Sequence, residues 1–215
     1  MFARRPPIWL SLAFALALFT LPAKAAAPSD AAGFVNDLVN VALKTLDNKQ
    51  LSTEERDKTF RDLLDKDFDM PRISRFVLGP YWREASDQEK QQFQKLFEDY
   101  VVRSYAKSFS EYSGEQVKVT GSRPESETST LVQSQVVRQN GPPAKVDWRV
   151  RKDDKGFKIV DVDVEGVSMV LTQREEFSSV IQKSGGTVAG LNKELQQKLA
   201  QGDTSLAAPI LPEKK

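Results

Sequence analysis

The stretch Ser86–Gly114, SDQEKQQFQKLFEDYVVRSYAKSFSEYSG, predicts the central element of this 215-residue chain. It opens with a capping box, because the Ser86 hydroxyl can accept from the backbone N–H three residues on while Glu89 reaches back to the cap. Apolar residues then recur at steps of three and four, which is typical of one buried helical face. They are Phe93, Leu96, Phe97, Tyr100, Val101, Tyr105, Phe109 and Tyr112. We expect a helix spanning roughly 37 Å that ends at Gly114.

Five further amphipathic helices are predicted around it. They are one from about Ser29 to Asn48, one capped by Ser52 and Glu55, one opened by Asp69 and Pro71 and ended by Gly79, one over Val167–Ser184, and one starting at Thr187. On the first helix we place Phe34, Leu38, Val41, Ala42 and Leu46 inward, and on the third Ile73, Phe76, Val77 and Leu78.

From Gln116 the apolar period changes from 3.6 to 2, which predicts strands. The strands are Val117–Gly121, Leu131–Val137, Ala144–Arg151 and Phe157–Val164, joined by turns at residues 140–143 and 153–156. Their alternation indicates an antiparallel meander with one wet and one buried side. We therefore predict an α+β fold, in which a sheet of about four strands is wrapped by about six helices.

The first 25 residues have the composition of a signal peptide. Arg4 and Arg5 precede an apolar run from Ile8 to Leu21, and residues 23–25 form a small-x-small cleavage site. We expect cleavage after Ala25 and export to a Gram-negative periplasm. Residues 29–201 are then expected to form one folded domain, and residues 202–215 a disordered tail.

The residue types that are missing restrict the chemistry. The chain has neither cysteine nor histidine, and so lacks a thiol nucleophile, a Ser-His-Asp arrangement and the usual transition-metal ligands. We therefore predict that the protein is not an enzyme and holds no metal ion or cofactor. Loss of Arg4, Arg5 and Lys24 with the leader leaves a net charge of −2, which gives no electrostatic reason to expect nucleic-acid binding.

Three segments resemble a known family in their order and spacing. They are FVLGPYWR at residues 76–83, VDWR at 146–149, and DVDVEGVSMV at 161–170 followed by Arg174 and Phe177. From about Phe34 to Leu199 the chain is similar to the MlaC family, also called the toluene-tolerance family of ABC-transporter auxiliary proteins. The D-V-x-x-E-G-V-S stretch is the most specific part of the resemblance.

The resemblance implies a function and partners. It implies a periplasmic phospholipid carrier that shuttles lipid between transport complexes of the outer and inner membranes and so maintains outer-membrane lipid asymmetry. The partners implied are an inner-membrane complex of an ABC transporter with MCE domains and an outer-membrane lipoprotein complex. We expect the carrier itself to be a monomer. Residues 29–201 would be its lipid-binding domain, in which sheet and helices enclose an apolar cavity for acyl chains.

The lining of that cavity is predicted from face and period. We expect the apolar face of the sheet to form one wall and the central helix the other. The sheet candidates are Val132, Val136, Val146, Trp148, Val150, Val160, Val162 and Val164, and the helix candidates are Phe97, Tyr100, Val101 and Tyr105. Trp148 stands where the family more often has a tyrosine, and an inward indole would narrow the cavity slightly.

A mouth or partner contact is predicted before the central helix. Tyr81 and Trp82 follow a Gly-Pro break, and Arg75 and Arg83 lie on either side. Guanidinium groups suit a lipid phosphate or an acidic partner surface. In an alternative interpretation, the two rings staple helices together and the arginines pair with Glu84 and Asp87.

Other functions stay open at this point. The cavity could take another amphipathic lipid such as a hopanoid, because an apolar pocket discriminates poorly between tails. A periplasmic adaptor with a filled core is a second alternative. A carboxylate enzyme is a third, and it would need two acidic side chains facing each other in a cleft.

Overall fold

The computed structural model describes residues 31–110, 112, 114–138 and 141–203, which comprise seven helices and five strands. The helices are α1 (Ala31–Asp47), α2 (Thr53–Asp67), α3 (Met70–Leu78), α4 (Tyr81–Glu84), α5 (Asp87–Ser110), α6 (Met169–Lys183) and α7 (Val188–Gln201). The strands are β1 (Gln116–Pro124), β2 (Ser129–Val137), β3 (Ala144–Asp153), β4 (Gly156–Val164) and β5 (Val167–Ser168). The predicted α+β class is confirmed, with one short helix and one short strand more than expected. The predicted leader and residues 204–215 of the predicted tail lie outside the described residues.

Side-chain caps start the helices where the sequence predicts them. At α5, the backbone N–H of Glu89 donates to Ser86 Oγ at 3.2 Å, and the N–H of Ser86 donates to Glu89 Oε2 at 2.7 Å. These hydrogen bonds from Ser86 lower the pKa of Glu89. Ser52 and Glu55 form the same capping box at α2, and the Asp69 side chain caps α3. The predicted caps are confirmed, because each accepts an N–H that the first helical turn leaves unpaired.

Helix α5 is shorter than the sequence predicts and its buried face is turned slightly. It ends at Ser110 instead of Gly114. Val102 is buried on it, whereas Val101 is only half-buried. Two inward predictions elsewhere are wrong, since Val41 on α1 is 46% exposed and Phe76 on α3 is 39% exposed.

The five strands pair in chain order as an antiparallel meander, as predicted. A bulge interrupts the pairing of β3 with β4, where Arg149 pairs with Asp161 and Val150 with Ile159. Val160 is therefore the extra residue between two paired positions, and the face of β4 changes there. The prediction that Val160 shares a face with Val162 and Val164 is wrong, because Ile159 takes the buried place.

The buried side chains form two hydrophobic clusters. The helical cluster comprises Ile73, Val77, Leu78, Ala85, Phe93, Phe97, Tyr100, Phe177, Ile181, Val188, Leu191, Leu195 and Leu199. The sheet cluster comprises Ala31, Val35, Leu38, Val39, Val132, Val136, Ala144, Val146, Val150, Ile159, Val162 and Val164. Phe68, between α2 and α3, packs against both clusters. Helix α1 packs against β1 and β2, and α2, α3 and α6 pack against β4. Helix α5 packs against α2, α3 and α7.

Phe177 is the side chain around which the helical cluster is arranged. Its ring centroid lies 5.7 Å from that of Phe93, 5.6 Å from Phe97 and 6.4 Å from Tyr100, in edge-to-face geometry. Phe93 and Phe97 stack on each other at 5.5 Å. Edge-to-face aromatic pairs add to the stabilisation that burial gives.

We therefore expect Phe177→Ala to lower the free energy of unfolding by about 3–5 kcal/mol, since it leaves a cavity among three rings. Chemical denaturation at neutral pH measures this. Leu171→Ala on the same helix is the matched control, because Leu171 is 49% exposed and its loss should change stability by about 0.5 kcal/mol or less. Equal losses in the two variants would contradict this account of the core.

Candidate functional site

Trp148 is a half-buried indole in the middle of the inner face of the sheet. Its neighbours on the same face of β3, Val146 and Val150, are 2% and 1% exposed. The indole Nε1–H donates to Ser134 Oγ at 3.0 Å, and the Ser134 hydroxyl donates to the carbonyl oxygen of Val146 at 2.6 Å. Every polar atom in this group therefore has a partner, and the orientation of the ring is fixed.

The sheet residues predicted to share this face are mostly brought together. Val132, Val136, Val146, Val150, Val162 and Val164 are buried in the sheet cluster, with Trp148 packed against it. The strand phase of β3 is thus as predicted. Sequence reasoning missed Ile159 and the half-buried Phe157, because both lie before the bulge in β4. Whether these side chains line a ligand cavity remains a prediction.

The helix residues predicted to face the sheet are divided between two environments. Phe97 and Tyr100 are buried around Phe177 in the helical cluster, and so are not brought together with the sheet residues. Val101 is half-buried and also packs against the helical cluster, whereas Tyr105 is half-buried beside Phe60. The Tyr105 ring lies 5.9 Å from that of Phe60 in edge-to-face geometry.

Tyr105 combines depth with residual accessibility. Burial raises the pKa of its phenol strongly, and its hydroxyl makes no hydrogen bond to the described part of the chain. Buried tyrosine hydroxyls usually find a partner. A phenol that is remote from bulk water yet still partly accessible is suited to a ligand with both apolar and polar atoms.

The opposite face of the sheet is polar and centres on Arg149. Its guanidinium lies 2.8 Å from Glu125, 2.7 Å from Asp161 and 3.8 Å from Asp163. The hydrogen bond from Arg149 lowers the pKa of Glu125. Burial, followed by the negative charge of Asp161, raises the pKa of Asp163. Within the described ranges no group of three or more acidic side chains is arranged to hold a metal ion.

The family-specific stretch Asp161–Val170 forms the joint between sheet and α6. Asp161 accepts from the Ser168 hydroxyl at 2.7 Å and from the backbone N–H of Val170 at 3.3 Å. Ser168 caps α6 through the N–H of Leu171. Glu165 has a φ of 52° and its carboxylate accepts from the N–H of Lys145 at 2.7 Å. The conformation and hydrogen bonds of this stretch account for it as a strand-to-helix connection.

The predicted mouth residues are divided between core and surface. Tyr81 and Trp82 are half-buried and pack against the helical cluster, which supports the interpretation that they staple helices. Arg75 and Arg83 are exposed, and neither forms an ion pair within the part of the chain that the structure describes. Asp87 pairs with Lys90 at 3.2 Å instead. The predicted pairing of these arginines with Glu84 and Asp87 is wrong.

The sequence analysis missed an exposed patch that includes Phe76, the residue after Arg75 in the chain. The Arg174 guanidinium lies 5.3 Å from the centroid of the Phe76 ring and packs against Gly79. Leu171, one turn before Arg174, is exposed beside it. A groove of about 470 Å³ runs along α6 and is lined by Leu171, Arg174, Glu175, Ser178, Ser179 and Gln182. None of the described helices is long and apolar enough to cross a membrane.

Fold and site define an α+β protein with two apolar clusters, and no acidic group suited to a metal ion occurs among the described residues. The sequence model described as "MlaC protein" matches residues 36–197, well over half of the chain. The chain therefore belongs to the MlaC family, as the resemblance predicts.

Known relatives agree with this assignment. The intermembrane phospholipid transport system binding protein MlaC of Haemophilus influenzae is 23% identical over 129 residues, which is 58% of this chain and 59% of that protein. The toluene tolerance protein of Pseudomonas putida is also 23% identical over 129 residues, covering 58% of this chain and 60% of its own length. The chain thus spans about 60% of the length of these relatives.

A solved structure extends the likeness to nearly the whole fold. The phospholipid-binding protein from Ralstonia solanacearum, determined in complex with a phospholipid, superposes with a TM-score of 0.71 at 27% sequence identity. The match covers 81% of this chain and 99% of that one.

The raised pKa of Asp163 gives a testable pH dependence. A carboxyl whose pKa is higher in the folded chain stabilises the fold while protonated, and that contribution is lost as the pH rises through the folded pKa. We therefore expect the stability of Asp163→Asn, relative to that of wild type, to increase as the pH is raised from acidic to neutral. Denaturation midpoints measured at each pH test this.

Glu125→Gln is the control with the opposite sign. The pKa of Glu125 is lowered in the fold, so its contribution is present above the unfolded pKa and is lost as the pH falls. This variant should be less stable than wild type at neutral pH, and the difference in stability should become smaller at acidic pH. The same pH trend in both variants would contradict the network around Arg149.

Proposed function

We propose that this chain is a phospholipid carrier of the Gram-negative periplasm. The observation that carries the proposal is the likeness to a protein solved with phospholipid bound, which covers 99% of that protein's length. The name of the Haemophilus relative, a binding protein of an intermembrane phospholipid transport system, supports the same class. A lipid-binding transport protein, rather than an enzyme, fits a chain without histidine or cysteine.

The free-energy cost of exposing acyl chains to water determines how much apolar surface the site must provide. Two acyl chains hold roughly 30 methylenes, and exposing them to water costs about 24 kcal/mol at about 0.8 kcal/mol each. A carrier must offset nearly all of that cost with apolar lining. It need not exceed it, because the lipid arrives from one apolar environment and leaves to another. Exchange is then close to balanced, and partners determine its direction.

We place the acyl chains between the inner face of the sheet and the half-buried part of α5. Trp148 on the sheet and Val101 and Tyr105 on the helix keep accessible surface, and Tyr105 offers a hydroxyl for a polar atom of the ligand. Phe97 and Tyr100, which pack around Phe177, are left out of this lining. Residues 29–201 form the lipid-binding domain of this proposal.

The remaining parts of the proposal concern transport across the envelope. Residues 1–25 direct export to the periplasm and are removed. The carrier exchanges lipid, as a monomer, with an inner-membrane MCE-domain ABC-transporter complex and an outer-membrane lipoprotein complex, and thereby supports outer-membrane lipid asymmetry. Arg75 and Arg83, exposed and without ion pairs among the described residues, are the contacts proposed for these partners.

Protein purified from a Gram-negative host without added lipid should carry phospholipid in its folded state. Native mass spectrometry, followed by solvent extraction and identification of the extract, measures this. A hopanoid in the extract would change the ligand class, and a folded protein at its bare mass would indicate an adaptor and refute the carrier. The denatured sample is the control, because lipid must leave when the fold is lost.

Charge reversal tests the partner contact. We expect Arg75→Glu with Arg83→Glu to change the free energy of unfolding by about 0.5 kcal/mol or less, because both side chains are exposed. Lipid transfer to membrane-embedded partner complexes should fall sharply. The charge-matched control, Lys155→Glu with Lys193→Glu, changes two exposed lysines, one in the turn between β3 and β4 and one on α7. Normal transfer by the arginine variant, or equal loss in both variants, would remove Arg75 and Arg83 from the contact.

A further inference from the structure

Trp148 is the bulkiest side chain on the inner face of the central strand. Its cross-strand partners are Val132 on β2 and Val162 on β4, which are 0% and 8% exposed. A wide ring therefore stands between two short side chains that are already packed. It is half-buried, and so keeps surface that the valines around it have lost.

The ring is fixed by a buried hydrogen-bond chain. Ser134 is 1% exposed, its Oγ receives the indole N–H at 3.0 Å, and its own hydroxyl donates to Val146 at 2.6 Å. Turning the indole away would leave the N–H or the serine oxygen unpaired in an apolar place, which costs about 1–3 kcal/mol. Trp148 therefore acts as a rigid wall rather than as an adaptable one.

Helices pack against the strands on both sides of the strand that carries Trp148. Helix α1 packs against β1 and β2, while α2, α3 and α6 pack against β4. Strand β3, which carries Trp148, lies between β2 and β4. The proposed function places acyl chains against the accessible surface of this indole.

We propose that Trp148, held in place by Ser134, determines which hydrophobic tails the carrier accepts, by limiting the width of the compartment to slim, straight acyl chains. The inference rests on the proposed function and deepens it. A fixed ring excludes branched or polycyclic tails sterically, since a wider tail would have to displace either the indole or the packed valines beneath it. Ser134 is a positioning residue, which acts through the orientation of the indole.

Fluorescence quenching measures whether the Trp148 ring lies close to the bound acyl chains. The chain has three tryptophans, Trp9, Trp82 and Trp148, so the W9F/W82F variant reports on Trp148 alone and W9F/W148F on Trp82 alone. Each is loaded with phospholipid carrying brominated acyl chains, and lipid occupancy is measured on the same sample by native mass spectrometry. We expect the Trp148 emission to fall by more than half relative to the unbrominated lipid, and the Trp82 emission to change little.

Selectivity is measured by competition between a straight-chain and a branched-chain phospholipid with the same head group. In the full-length protein, Trp148→Ala should shift the bound ratio toward the branched lipid by roughly tenfold or more, since pocket selectivity per methylene reaches that range. Trp148→Phe keeps a ring and should shift it less. Ser134→Ala should shift it in the same direction and also lower the fluorescence anisotropy of Trp148, which a merely structural role would not do.

The outcomes separate this inference from the proposed function. Bound lipid with Trp148 emission quenched no more than that of Trp82 overturns the inference and leaves the carrier intact. An unchanged bound ratio in Trp148→Ala and Trp148→Phe also overturns it. Absence of any bound lipid overturns both. If Trp148→Ala fails to fold by circular dichroism, Trp148→Phe and Ser134→Ala still decide the matter.

Discussion

The backbone segment between α2 and α3 holds the two halves of the structure together. Phe68 packs against both hydrophobic clusters and forms a bridge with Ile159 of β4, while the N–H of Asp69 donates to the Ile159 carbonyl oxygen at 2.9 Å. The bulge at Val160 sets the place of this attachment, because it turns Ile159 inward. The helices around α5 are thereby attached to the sheet along β4.

The buried side chains of the described residues form two clusters, and Phe68 packs against both. The rings around Phe177 satisfy one another within the helical cluster, and the valines of the sheet pack with α1. Each cluster is thus packed largely by its own elements, and α2, α3 and α6 connect the two by packing against β4.

Local patterns predicted the local structure well. Capping boxes at Ser52 and Ser86, the meander and the phase of β3 all follow from residues close in sequence. The period of a strand does not encode a bulge, so the face of Val160 was wrong. Helical periodicity predicts that a face is buried, but it does not predict which element packs against that face. The aromatic face of α5 was expected opposite the sheet, but Phe97 and Tyr100 meet Phe177, about 80 residues later in the chain.

The most specific stretch of the sequence is explained by the fold rather than by a ligand. Asp161 joins Arg149 to the start of α6, and Glu165 accepts from the backbone of β3 in a turn with positive φ. Such hydrogen bonds demand particular side chains, so they leave a recognisable motif. Acyl chains demand only apolar surface of the right width, which many residue combinations provide. A carrier of the proposed kind is thus recognised in sequence by the joints of its fold, whereas the neighbours of single positions such as Trp148 are revealed only by the structure.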